Sequence, residues 1–200
     1  MAEVRVSIQG RPRDPSIDVR VLQATRRLLE EKGFAATTVR EIAELSGVHA
    51  SAIYRRWSGR EEIIEHAVFP GLTAVHVRPT GDLRRDLRRF IRSYLAAFGT
   101  PAARTAIPGL LASYQSTGRS GAPEVWFSIS ARPQFLDILV AAGFGGVSPT
   151  IDVDDVFDVL LGAILAKVLV PTVIARNRPV DRLVDQIVQL LQMEPVGLPQ

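Results

Sequence analysis

The tightest constraint on this chain is the punctuation between Thr38 and Trp57. There Thr-Val-Arg-Glu-Ile-Ala-Glu-Leu-Ser-Gly-Val-His-Ala-Ser-Ala-Ile-Tyr-Arg-Arg-Trp leaves room for two short helices and a break between them. Thr38-Val-Arg-Glu41 has the form of a capping box, in which a hydroxyl and a carboxylate satisfy free amides at a helix start. The helix it opens ends near Leu45, Ser46-Gly47-Val48 breaks it, and a second short helix runs from His49 or Ala50 to Arg56. Two short helices that cross steeply need a small residue where they meet, a residue tolerant of left-handed backbone in the turn, and branched apolar residues beneath. Ala43, Gly47, Val48 and Ile53 meet those needs in that order. Val39, Ile42 and Trp57 complete the underside and pin the pair onto the preceding helix through Leu28 or Phe34.

That preceding helix is signalled by Asp14-Pro15, an N-cap and a favoured first helical residue, and by Ile17, Val21, Ala24 and Leu28 at helical spacing until Gly33. Ser58-Gly59-Arg60-Glu61 reads as a second capping box and opens a helix toward Val68. Residues 1–15 have no helical period and form a flexible basic arm. Pro70-Gly71 and Pro79-Thr80-Gly81 mark a boundary, which gives a compact unit over 16–69 and a second over 80–200. In the second unit Leu83, Leu87, Phe90, Ile91, Tyr94, Leu95 and Phe98 make one apolar stripe. The arginines Arg84 to Arg92 then form a solvated face paired with Asp82 and Asp86. Residues 101–117 and 123–142 read as helices interrupted at Pro108-Gly109 and Arg132-Pro133. Gly143 to Pro149 reads as a loop, and Asp152 to Val170 and Val180 to Met193 as a last helical pair. No alternating strand pattern and no internal repeat occurs, so the fold class is all-α.

Function classes narrow by elimination. The chain is 46 % apolar and 22 % charged, a mixture that suits a packed core, and it has no cysteine, which excludes a disulfide scaffold, a thiolate metal site and a cysteine nucleophile. The greasy run from Val159 to Ala175 carries Lys167 and Pro171 and reads as a buried or interface helix, not a membrane span. A cytoplasmic protein is the expectation. His49, His66 and His76 have neighbours unlike a catalytic base and its orienter, and no nucleophile elbow, metal-spaced pair or phosphate-cradling loop occurs. Neither an enzyme nor a cofactor or metal site is expected.

Charge placement points elsewhere. The net charge is +3, yet residues 1–60 alone hold 11 basic and 7 acidic side chains. Of the 24 basic residues all but Lys32 and Lys167 are arginine, which suits phosphate and base edges and equally suits a coding bias. On the second short helix the residues left outward are His49, Ala50, Ser51, Tyr54 and Arg55. Small side chains at the amino end followed by an aromatic hydroxyl and a guanidinium fit a recognition helix in a major groove. The helix starts at Thr38 and Arg60 offer amides to phosphate, with Arg40, Tyr54 and Arg60 adding side-chain donors. An ordinary helical hairpin with a solvated face is the other reading of the same spacing.

The run Phe34 to Val48, followed by Ile53-Tyr-Arg-Arg-Trp-Ser-Gly-Arg-Glu-Glu-Ile-Ile64, resembles the DNA-binding domain of the TetR family of bacterial transcriptional regulators. The likeness covers about residues 16–68; residues 80–200 resemble the family in length and helical pattern only. The resemblance implies a homodimer with an amino-terminal helix-turn-helix, a helical effector-binding body, and a four-helix interface from the last two long helices of each chain. Carried over by position, Thr38 caps its helix on a phosphate, Arg40 reaches backbone or base, and Tyr54 contacts phosphate. Arg60 stands where the family commonly has lysine. His49 stands where it commonly has a small hydroxyl or alanine, and either reads a base or caps the helix. The arm either reaches DNA or has no fixed place.

In the second unit, Tyr94, Phe98, Tyr114, Trp126 and Phe127 are core residues or, on the family likeness, the lining of a pocket for an apolar or aromatic effector. Gly162 and Ala166 allow close helix approach at a dimer interface, with Leu183, Ile187 and Leu191 as the facing ridge. Two heads about 34 Å apart imply a double-stranded, palindromic operator, and an effector that moves the helix from Glu61 to Val68 would release it, as in a repressor. The alternative is a helix-turn-helix regulator without a small-molecule ligand, acting through protein partners.

Overall fold

Asp14 begins the first helix by accepting the Ser16 amide at 2.9 Å, with Pro15 in the first turn, where its missing N–H leaves no bond unmade. In the computed structural model, which describes residues 14–69, 77–117, 131–144, 152–171 and 179–192, this helix is α1 (Pro15–Ala36), and it kinks at Gly33. Next comes α2 (Val39–Ser46), whose Glu41 amide donates to the Thr38 hydroxyl at 3.2 Å. The other half of the expected box is not made. The Glu41 carboxylate instead accepts from the Lys32 ammonium of α1 at 2.6 Å, and that ammonium holds the carboxyl below the usual carboxylate range. Gly47 closes α2 in the left-handed region, φ 65°, where a side chain would be strained.

The turn leads into α3 (Ala50–Tyr54) and then α4 (Arg60–Val68). The cap of α4 is shifted by one residue from the expected box. Gly59 is the N-cap, so the third helical residue is Glu62 and not Glu61. It reaches back to accept from the Ser58 amide at 2.5 Å and the Ser58 hydroxyl at 2.6 Å.

The body comprises α5 (Leu83–Phe98), α6 (Pro101–Thr117), α7 (Arg132–Leu139) with a π-helical turn over Val140–Phe144, α8 (Val153–Leu169) and α9 (Val180–Gln192). Among the described residues there is no strand. The expected break at Pro108-Gly109 does not occur, since α6 runs through both residues. Gly143 leaves helical backbone at φ 89°, so the helix breaks where the loop was expected to begin. The segments 123–130 and 145–149, Met193 and the arm through residue 13 lie outside the described residues. No described helix is long and apolar enough to cross a membrane.

Two cores hold the fold. Val21, Leu28, Ile42, Val48, Ile53, Trp57 and Ile63 make the smaller one, and Leu28 is indeed the residue of α1 onto which the short helices close. Phe34 does not join them; it packs against the larger core. That larger core is built on Phe90, Ile91, Tyr94, Phe135, Phe157, Leu160, Val184 and Ile187 and takes in Leu29 of α1 and Ile64 and Val68 of α4. Thus α1 and α4 serve both cores, and the head is seated on the body by apolar burial.

The arginine stripe of α5 has other partners than expected. Arg84 pairs with Asp185 and Arg88 with Asp181, both carboxylates belonging to α9. Asp82 is occupied as the α5 cap, accepting the Arg85 amide at 3.0 Å. Asp86 is fully buried and accepts the Thr80 amide at 2.6 Å and hydroxyl at 2.9 Å, which leaves Arg89 at 3.5 Å as its sole stripe contact. On the opposite side, Arg132 of α7 pairs with Asp154 and Asp158 of α8.

Candidate nucleic-acid interface

Residues of α3 divide cleanly by exposure. Ile53 is fully buried and Ala52 half-buried, whereas His49, Ala50, Ser51, Tyr54 and Arg55 are exposed, Tyr54 at 59 %. Among the described residues the side chains of His49, Ser51, Tyr54 and Arg55 make no hydrogen bond or ion pair with the chain itself. His49 occupies the N-cap position of α3 without a side-chain capping bond, so of its two expected roles the structure does not make the cap and leaves the imidazole in solvent. Arg40, on the first turn of α2, is also exposed, and Thr38 is committed to its cap.

Arg56 and Arg55 are neighbours with opposite fates. The Arg56 side chain is 11 % exposed, and it donates from Nε to Asp18 at 2.6 Å and from Nη2 to the Asp14 carbonyl at 3.2 Å. It fastens the end of α3 to α1, which leaves Arg55 as the outward guanidinium. Trp57 packs beneath and donates its indole N–H to His66 Nδ1 at 2.9 Å, so His66 serves the head's own packing.

Arg60 is placed differently from the other candidates. Half-buried at the start of α4, it lies 4.3 Å over the Phe34 ring and donates from Nη2 to the Phe34 carbonyl at 2.7 Å. The same ring covers Gly109 of α6 so closely that a Cβ there would stand 2.2 Å from it. Arg60, Phe34 and Gly109 are therefore stacked across the joint between head and body. Nothing in the local sequence signals this, because the three residues are far apart in the chain and meet only once α1, α4 and α6 pack.

Tyr114 strengthens that joint. Its hydroxyl donates to Glu65 of α4 at 2.7 Å, while its ring packs half-buried against the large core. Arg26 adds a bond from Nε to the Ala67 carbonyl at 2.6 Å at the end of α4. Of the other lining candidates, Tyr94 and Phe98 are buried in the large core, and Trp126 and Phe127 lie outside the described residues.

The interface candidates split in the same way. Gly162 is exposed and Ala166 half-buried on a face of α8 that also carries Val159, 54 % exposed, and Val170, 40 % exposed. The facing ridge expected from α9 is not available. Leu183, Ile187 and Leu191 are buried in the chain's own core, since α9 turns its apolar stripe toward α5 and α8.

Comparison with known proteins agrees with this architecture. Residues 21–67 match the model of bacterial regulatory proteins of the tetR family, and residues 77–187 match the tetracyclin repressor-like C-terminal domain. An uncharacterised helix-turn-helix-type transcriptional regulator of Mycobacterium tuberculosis is 27 % identical over 188 residues, covering 90 % of this chain and 92 % of its own. The Bacillus subtilis regulator YdeS, of the same description, is 36 % identical over 110 residues, 54 % of this chain and 55 % of its own. Among solved structures, a fatty acid degradation regulator from Bacillus halodurans superposes with a TM-score of 0.59 at 15 % identity, covering 90 % of this chain and 96 % of that one. A TetR-family regulator from Streptomyces coelicolor does so with 0.54 at 21 % identity, covering 92 % and 97 %. The helix-turn-helix head, the helical body and both family matches together place the chain in the TetR family, as a DNA-binding transcriptional regulator and not an enzyme.

Proposed function

We propose that the protein is a cytoplasmic repressor that binds a palindromic operator as a homodimer and leaves it when a small apolar effector enters the body. The observation that carries this reading is the outward face of α3, where His49, Ser51, Tyr54 and Arg55 are exposed and unengaged while Arg56 and Trp57 are used inward. Side chains held on a rigid frame and left without partners are what base-edge and phosphate contacts require. Small Ala50 and Ser51 permit close approach to the groove floor, and the exposed Arg40 adds a phosphate contact.

Switching follows from the joint. Any shift of α6 acts on Phe34 through Gly109, on Arg60 through Phe34, and on Glu65 through Tyr114, so α4 moves with it and the two heads of a dimer lose register with successive grooves. Selection of bound sequences from random double-stranded DNA tests the core of the proposal. The expected result is a palindrome with half-sites about one helical turn apart; salt-sensitive binding without sequence preference would overturn it.

A further inference from the structure

The large core contains a hydroxyl that bonds to nothing among the described residues. Tyr94, on α5, is 2 % exposed, and its phenol oxygen has no hydrogen-bond partner among them. The other fully buried polar residues among those described are satisfied: Thr25 and Thr37 donate to carbonyls one turn back, Ser46 to the Ala43 carbonyl, and Asp86 accepts from Thr80. Arg60 Nε is also buried without a bond, but it lies at the joint of head and body and its guanidinium donates from Nη2 to the Phe34 carbonyl. A phenylalanine would fill the space of Tyr94 without stranding a polar group, so the hydroxyl is unfavourable to the ligand-free fold. Burial pushes the phenol well above its ordinary value, and the group is held protonated, as a donor.

Its surroundings fix what it can donate to. Phe90 lies 4.6 Å away by ring centroid and Phe98 5.7 Å away, nearly perpendicular. The rings continue through Phe135 and Phe157 on one side and to Phe69 of the head on the other. No lysine, arginine or histidine among the described residues is fully buried, and the one buried carboxylate, Asp86, is closed off by Thr80 and Arg89. Arg132, whose guanidinium lies 4.8 Å from the Phe157 ring centroid, is paired with Asp154 and Asp158, so among the described residues an ionised ligand taken into this core would have no uncommitted counter-charge.

We propose that the Tyr94 hydroxyl is the hydrogen-bond donor for the effector, and that the effector is a neutral, largely apolar molecule carrying a carbonyl or ether oxygen. This rests on the reading of the body as an effector-binding domain and adds its chemistry. The ring series supplies the apolar contact, and the single O–H selects a ligand with an acceptor over a plain hydrocarbon.

Two fluorescent probes separate the two claims in the full-length protein: Nile red, a neutral fused-ring dye with a carbonyl, and pyrene, a flat ring system without oxygen. Both bind the wild type. Tyr94→Phe weakens Nile red by about five- to tenfold, the worth of one hydrogen bond, leaves pyrene within about twofold, and raises the melting temperature of the ligand-free protein because the stranded hydroxyl is gone. If pyrene binds but the substitution weakens neither probe, or weakens both alike, the donor role is overturned and the effector-binding reading stands. A lowered melting temperature also overturns it, by showing the hydroxyl already satisfied. If neither probe binds saturably, the effector-binding reading falls and this inference falls with it.

Discussion

At Arg60 two demands meet. Its place at the start of α4 suits a phosphate, yet its guanidinium lies over Phe34 and donates to that residue's carbonyl. A planar guanidinium that is both stacked and hydrogen-bonded is held by more than charge. Arg60→Gln is therefore expected to lower stability by about 1 kcal/mol, read as a drop in melting temperature. The slope of log operator affinity against log salt stays unchanged; a slope reduced by about 0.9 with an unchanged melting temperature would put the arginine on a phosphate instead. The same residue shows where sequence reading reaches its limit. Thr38, Gly47 and Ile53 are legible because a cap, a left-handed turn and a buried branched residue are local requirements. Arg60, Arg56 and Tyr114 take partners 26, 38 and 49 residues away, and a long polar side chain carries no local mark of such a partner.

Helix α6 makes the corresponding point for an element. Proline followed by glycine is a strong local stop signal, but α6 continues through Pro108-Gly109 because tertiary contact outweighs propensity. Pro108 leaves the Arg104 carbonyl without its usual helical donor, a modest loss at an exposed position. Gly109 gains a role that only the absence of a side chain permits, since Phe34 occupies the place of its Cβ. Gly109→Ala is thus expected to destabilise by about 1–3 kcal/mol, as overpacking does, despite the better helix propensity of alanine. Phe34, held between α6 and Arg60, must move, and operator affinity should fall with it. Adding Phe34→Leu should recover part of the melting temperature, because the two sites share one contact. An unchanged melting temperature in the single variant would show that α1 and α6 are not so closely apposed. The α5 stripe follows the same logic: spacing along one helix offers Asp82 and Asp86 to its arginines, and Arg89 lies against Asp86, while packing offers Asp185 and Asp181 of α9 to Arg84 and Arg88.

At the scale of the whole molecule, α8, which holds most of the run read from the sequence as a buried or interface helix, keeps an exposed small-residue and valine face. One side of α8 is buried through Val156, Phe157, Leu160, Ile164 and Val168, while Val159, Gly162, Ala163, Ala166 and Val170 recur at helical spacing on the other. Small residues at the middle of that stripe let two helices approach closely, and a two-fold axis through Gly162 would set α8 against its own copy. Nothing among the described residues needs Gly162 to be small: a Cβ built there meets none of their atoms within 4 Å. Gly162→Arg should therefore fold at least as stably as the wild type, since any residue but proline favours a helix over glycine. The damage should appear in assembly alone. Sedimentation velocity is expected to show the 21.9 kDa chain as a dimer in the wild type and a monomer in the variant. Operator binding should weaken in the variant because each head then binds one half-site without its partner. A variant that stays dimeric with full operator affinity would move the interface elsewhere. Leu183, Ile187 and Leu191 give the converse control: they lie in the core, so truncating Ile187 to alanine should unfold the body, by about 2–5 kcal/mol, before it separates any dimer.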